Sequence, residues 1–194
     1  MYLAVAIKNT NVNIYSLLDY KLLKTYTYTG FKPQSVRFSL NGKYLGIAYD
    51  SNNVKILNAL EPFDENLTLS VNHNTLTKDI DFDSTGTLFL SCGADDKIKL
   101  WTIVDGGTWT SLRSTTLAPT GQNQTSCRFS PSNTYISHST LSNLYTYTTS
   151  NFASAGTKGG RRNMEAAWSR DDSKVYSATS LDTKLYQYVR AGFG

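Results

Sequence analysis

Cysteine, histidine and proline are scarce in this chain: two, two and four among 194 residues. Each scarcity excludes something. Two cysteines, Cys92 and Cys127, cannot build a disulfide framework. Both fall in apolar alternating runs, where a small buried thiol is common, so a reducing, cytoplasmic setting is expected. His73 and His138 stand too far from each other and from the cysteines to offer a zinc-ligand spacing. Without a Pro/Gly/Ser-rich linker there is no place to divide the chain, and residues 1–194 read as a single domain. No run approaches the roughly 18 apolar residues of a membrane helix. The opening YLAVAI has no basic flank and is too short for a secretory signal. No Gly-rich loop follows a strand and opens a helix, so a nucleotide site is not expected. Neither sign of charge dominates: 19 Lys and Arg stand against 15 Asp and Glu, for a net charge of +4. The excess is scattered, which reads as a solvated surface; nucleic acid is a less favoured partner.

What the chain does have is a repeated pattern. Residues 79–101, DIDFDSTGTLFLSCGADDKIKLW, hold three short runs of alternating apolar residues. These are Asp79 to Asp83, Leu88 to Cys92 and Ile98 to Trp101. Ser84-Thr85-Gly86 and Ala94-Asp95-Asp96 separate them. Period-two alternation broken by Gly and Asp predicts antiparallel strands. Phe38, Phe82, Phe129 and Trp168 each end such a run, at spacings of 44, 47 and 39 residues. Each is followed by a polar turn (SLNG, DSTG, SPSN, SRDD), a second run and a third. A period of ~40–45 residues in this order is the mark of a propeller blade.

The N-terminus joins the pattern late. YLAVAIKNTNVNIY (2–15) aligns with YLGIAYDSNNVKIL (44–57) at a constant offset of 42, so the chain enters its first unit at a second strand. Outer strands are expected near Leu22–Tyr28, Leu67–Val71, Leu112–Leu117 and Phe152–Thr157, polar on alternate positions as edge strands are. The expected total is 18 strands in five units of three, four, four, four and three. The approximate repeats are 1–29, 30–72, 73–117, 118–157 and 158–194.

These residues resemble the WD40 repeat family. FDSTGTLFLSCGADDKIKLW looks like the family's inner-strand motif, turn, and Asp-containing turn before a Trp-ended strand. His73 lies nine residues before Phe82, and Asp95 six before Trp101, with Ser91 between them. The resemblance implies a structural tetrad of His73, Ser91, Asp95 and Trp101 that pins the blade. It also implies an all-β fold of about four to five WD40-like propeller blades, the terminal ones incomplete. The repeats are degenerate. No Trp-Asp dipeptide occurs, Asn72 replaces the Gly before the His, and Leu57, Tyr147 and Tyr188 stand where Trp101 does. Asp182 keeps the turn carboxylate in the last repeat. Two terminal units of three strands cannot merge into one four-stranded blade. The chain is therefore an open arc or a small closed ring, and the arc is the reading preferred.

No catalytic constellation stands out. His138 sits in YISHST without a nearby carboxylate, and a strand-face histidine outweighs a Cys92–His138 dyad. Asp95-Asp96 and Asp171-Asp172 fall at turns, where Asp serves the backbone. The basic segment around Lys158, Arg161 and Arg162 reads as a flexible loop. It is a candidate for binding a partner, though a solvated loop is the more ordinary reading of such a segment. The expectation is a non-catalytic protein–protein interaction scaffold without cofactor or metal. It would be a subunit of a multi-subunit assembly, with protein partners that complete the propeller or a second copy that does so. Alternatives are a propeller enzyme of the lactonase or quinoprotein kind, or a structural cytoskeletal or virion component.

Overall fold

The computed structural model describes residues 1–7, 10–104, 109–116, 124–159, 163–179 and 184–190. Among these residues eighteen strands form five antiparallel sheets. The first sheet is β1 (Tyr2–Ala6), β2 (Asn11–Ser16) and β3 (Leu22–Thr27); the second is β4 (Pro33–Phe38), β5 (Tyr44–Tyr49), β6 (Asn53–Asn58) and β7 (Glu65–Ser70). The third is β8 (Thr77–Phe82), β9 (Leu88–Gly93), β10 (Lys97–Thr102) and β11 (Thr110–Thr116). The fourth is β12 (Gln124–Phe129), β13 (Tyr135–Thr140), β14 (Asn143–Thr148) and β15 (Ser154–Gly159). The fifth is β16 (Asn163–Trp168), β17 (Lys174–Thr179) and β18 (Leu185–Val189). The four aromatic landmarks Phe38, Phe82, Phe129 and Trp168 are the last residues of β4, β8, β12 and β16.

Each sheet is a meander whose sequence order is its spatial order, as short turns require. The sheets are propeller blades, packed face to face in chain order, and they form no closed ring. β1 occupies a second-strand place. Its pairing Tyr2↔Ser16 repeats Tyr44↔Asn58 of β5 and β6 at the same offset of 42 residues. Among the described residues the first sheet thus has no innermost strand, and the fifth has none beyond β18.

Alternation decides what fills the spaces between blades. Val12, Ile14, Leu45, Ile47, Tyr49, Leu57 and Phe63 bury themselves between the first and second sheets. Between the second and third, Trp109 sits against Tyr44 and Phe89, ring centroids 5.3 and 5.4 Å away. Cys92 and Cys127 are both buried between the third and fourth sheets, free thiols in an apolar layer. Between the fourth and fifth, the buried hydrophobics among the described residues are Leu144, Ala166 and Val175, with Trp168 and Tyr188 partly buried against them.

The turns that join first to second strands are tied to one another across blades. Asn41 Nδ2 donates to Thr85 O at 3.3 Å, Ser84 N–H to Asn133 Oδ1 at 2.9 Å, and Ser130 Oγ–H to Asp172 Oδ2 at 2.8 Å. Short polar residues at these turns satisfy backbone groups the strands leave over.

Candidate functional site

The third blade brings together the four residues proposed as its tetrad. His73, on the connection into β8, holds Nδ1 2.8 Å from Asp95 Oδ1 and Nε2 3.1 Å from Ser91 Oγ. Trp101 Nε1–H donates to the same Ser91 Oγ at 3.4 Å. Asp95 Oδ2 also accepts the Asn74 N–H at 3.0 Å. Burial opposes the Asp95 charge, but the His73 hydrogen bond and the Asn74 N–H outweigh it and hold the carboxyl at about 2. Lys99 Nζ–H caps Val71 O and Asn72 O, each at 2.7 Å, so the strand end that carries His73 is fixed as well.

The corresponding place in the fourth blade is different. Ser91 stands opposite Ile80 and Lys99, and His138 stands in the same register opposite Cys127 and Tyr145. His138 is fully buried, stacked on Tyr145, and neither ring nitrogen has a hydrogen-bond partner among the described residues. Burial pushes its imidazole down to about 3, so it is neutral. Burial raises both thiols, Cys92 and Cys127, away from the reactive thiolate. The Cys92–His138 pair has none of the features of an activated nucleophile.

Lys158 is not in a loop. β15 runs to Gly159, with Lys158 opposite Leu144, because a register shift at Thr146/Tyr147 and the positive φ of Gly156 carry the strand further along. Arg161, Arg162 and Asp182 lie outside the described residues. Asp171 does serve its turn, accepting the Ser173 N–H at 3.1 Å.

The sequence reading missed a charged cluster on the innermost strands. Arg37 on β4, Asp79 and Asp81 on β8, Arg128 on β12 and Glu165 on β16 converge at the centre of the arc. Asp79 Oδ2 accepts the Cys127 N–H at 3.2 Å and pairs with Arg128 Nη1. Asp79 Oδ1 takes the Ser35 hydroxyl at 2.6 Å. Asp81 Oδ2 accepts the Phe129 N–H at 2.9 Å. Both guanidiniums reach Glu165 Oε1, Arg37 Nη2 at 3.3 Å and Arg128 Nη2 at 2.5 Å. Burial lifts Asp79 to about 6 and Asp81 to about 7, against the pull of Arg37 and the backbone N–H donors. A cavity of about 360 Å³ opens beside the cluster, lined by Ala4, Ala6, Ser35, Arg37, Arg128 and Glu165 among others. Aligning the four first strands on their aromatic ends would have shown these charges at matching positions. Read singly, they look like solvated strand residues.

Residues 66–102, covering nearly all of β7 and the whole of β8 to β10, match the WD40 family model (WD domain, G-beta repeat). No curated protein matches the chain.

Proposed function

From one WD40 repeat and four further sheets of like strand order, we propose that this chain is a non-catalytic scaffold and one subunit of a larger cytoplasmic assembly. WD40 domains in general bind protein partners and hold them on rigid blades. The observation that carries the reading is the state of the end sheets. Leu45 and Ile47 of β5 are fully buried by the neighbouring sheet, whereas Leu3 and Val5, at the equivalent positions of β1, are 46% and 38% exposed. At the other end Leu185 and Val189 are 69% and 50% exposed. Stacked repeats need their end faces capped, and a partner protein does this without new structure in this chain. The carboxylates Asp79 and Asp81, which acid–base chemistry would use, already hold backbone N–H groups of β12, which favours a scaffold role for them.

The test is affinity purification of the tagged chain from its source cells, beside a variant carrying Leu185→Arg and Val189→Arg. The expected result is a stoichiometric partner protein that the variant loses without losing its fold. A monodisperse monomer that retains no protein overturns the reading.

A further inference from the structure

The cavity at the centre of the arc lies where the first sheet lacks its innermost strand. What belongs there can be read from the strands beside it. Two positions recur on each innermost strand, fixed by register. The first is Ser35, Asp79, Ser126 and Glu165, opposite Ala48, Cys92, Ser139 and Ala178. The second is Arg37, Asp81, Arg128 and Ala167, opposite Gly46, Leu90, Ser137 and Tyr176. Ser/Arg strands therefore alternate with acidic ones. β12 lies between two acidic strands: Asp79 and Asp81 of β8 hold the N–H groups of Cys127 and Phe129, and Glu165 of β16 holds Arg128.

β4 repeats β12 in detail but has an acidic neighbour on one side only. Arg37 Nη1 donates to Val36 O at 3.1 Å, as Arg128 Nη1 donates to Cys127 O at 2.6 Å, and both guanidiniums reach Glu165. Ser39 N–H donates to Tyr44 O, so alternation along β4 turns the N–H groups of Val36 and Phe38 away from β5, toward the empty place. These are the counterparts of the Cys127 and Phe129 N–H groups. They have no acceptor among the described residues. The edge of β1 facing the same place pairs with no described strand. Ala6 there is exposed, while its counterpart Ala48 is fully buried. By the offset of 42, the two recurrent positions of a missing strand fall opposite Ala6 and Ala4, the two small residues that line the cavity with Arg37.

We infer that this place takes an extended segment of a partner polypeptide with carboxylates at alternate positions, an Asp-x-Asp strand. It hydrogen-bonds along β1, and its carboxylates accept the Val36 and Phe38 N–H groups and pair with Arg37. Strand addition supplies affinity through the main chain, and the carboxylates set register and specificity. The inference names the partner chemistry for the scaffold reading and rests on it.

The probe is a blocked peptide copying residues 75–84, TLTKDIDFDS, the chain's own acidic strand, titrated into the full chain. Binding is expected to saturate and to protect from hydrogen exchange the amides of Ala4 and Ala6, which alternate with the Ile7 N–H bonded to β2 and so face the empty place. A peptide with both central aspartates changed to asparagine, and the protein variant Arg37→Gln, should each weaken binding by about tenfold, the worth of a charge-assisted hydrogen bond. The inference falls if the peptide does not bind, if the asparagine peptide binds equally, or if protection appears elsewhere. Should a partner still co-purify in that case, the scaffold reading stands and only the acidic strand is lost.

Discussion

His73 and Gly93 meet so closely that no side chain fits between them: a Cβ at Gly93 would lie 2.5 Å from the His73 ring. The imidazole occupies the space a β-carbon would need, and this contact sets its reach to Ser91 and Asp95. Gly93→Ala should therefore cost roughly as much stability as His73→Ala. Adding Gly93→Ala to His73→Ala should cost much less than it does alone. Chemical denaturation of the double-mutant cycle measures this, and strict additivity would show that the contact does not position the ring.

Trp101 is buried at the end of the same chain of hydrogen bonds. Trp101→Ala should cost about 3–5 kcal/mol through lost packing and the cavity left behind. A loss under about 1 kcal/mol, well below that range, would remove Trp101 from any pinning role.

Buried groups tilt stability in opposite directions with pH, His138 one way and Asp79, raised to about 6, with Asp81 the other. His138 is depressed to about 3, so its contribution is present above its unfolded pKa and lost as pH falls toward 3. Asp81 is raised to about 7, so its contribution is present below its unfolded pKa and lost as pH rises toward 7. Between pH 4 and 6.5 these slopes oppose each other. His138→Leu should leave a protein whose melting temperature falls as pH rises through this window. Asp81→Asn leaves Asp79, raised to about 6, still opposing His138, so its melting temperature should be nearly flat between about pH 4 and 6. At neutral pH His138→Leu should also stabilise by about 1–2 kcal/mol, since two unpartnered ring nitrogens leave the core. Melting curves that keep the parent pH profile in both variants would contradict the assignment.

Asp79 and Glu165 make similar contacts from opposite degrees of burial, 6% and 59% side-chain exposure. Asp79→Ala leaves the buried Cys127 N–H and Ser35 hydroxyl without their acceptor and Arg128 with only the exposed Glu165 as counter-charge, and should cost about 3–5 kcal/mol. Glu165→Gln breaks only solvent-screened pairs and should cost about 1 kcal/mol or less. Equal losses would mean the guanidiniums, rather than the buried carboxylate, organise the cluster.

Cys92 and Cys127 are fully buried with raised thiols. Alkylation by iodoacetamide should follow global unfolding, with the same denaturant midpoint as circular dichroism. Rapid labelling of the native chain would show that the third and fourth blades part readily.

Much of the fold could be read from residue order. Period-two runs ending at Phe38, Phe82, Phe129 and Trp168 set the strands, and the 42-residue offset of Tyr2 from Tyr44 revealed the missing inner strand. The tetrad residues were visible because they lie within 29 positions of one another. Boundaries of outer strands were less legible: Phe152–Thr157 became Ser154–Gly159, since a bulge has no signature in hydropathy. The central cluster was illegible because its pairs, such as Asp79 with Cys127 and Arg37 with Glu165, join residues 48 and 128 positions apart. Only the packing of one blade on the next brings them together.

The uneven filling between sheets gives the array a direction. The layer joining the second sheet to the third holds a cluster of aromatic rings, while among the described residues Leu144, Ala166 and Val175 are the buried hydrophobics of the layer joining the fourth to the fifth, with Trp168 and Tyr188 partly buried against them. In a linear stack each interface sets the melting of its own neighbours. The molecule should thus peel from its C-terminal end inward, losing the last sheet before the blade that carries His73 and Trp101. A partner seated on that last sheet would act as a lock on the order in which the whole stack comes apart.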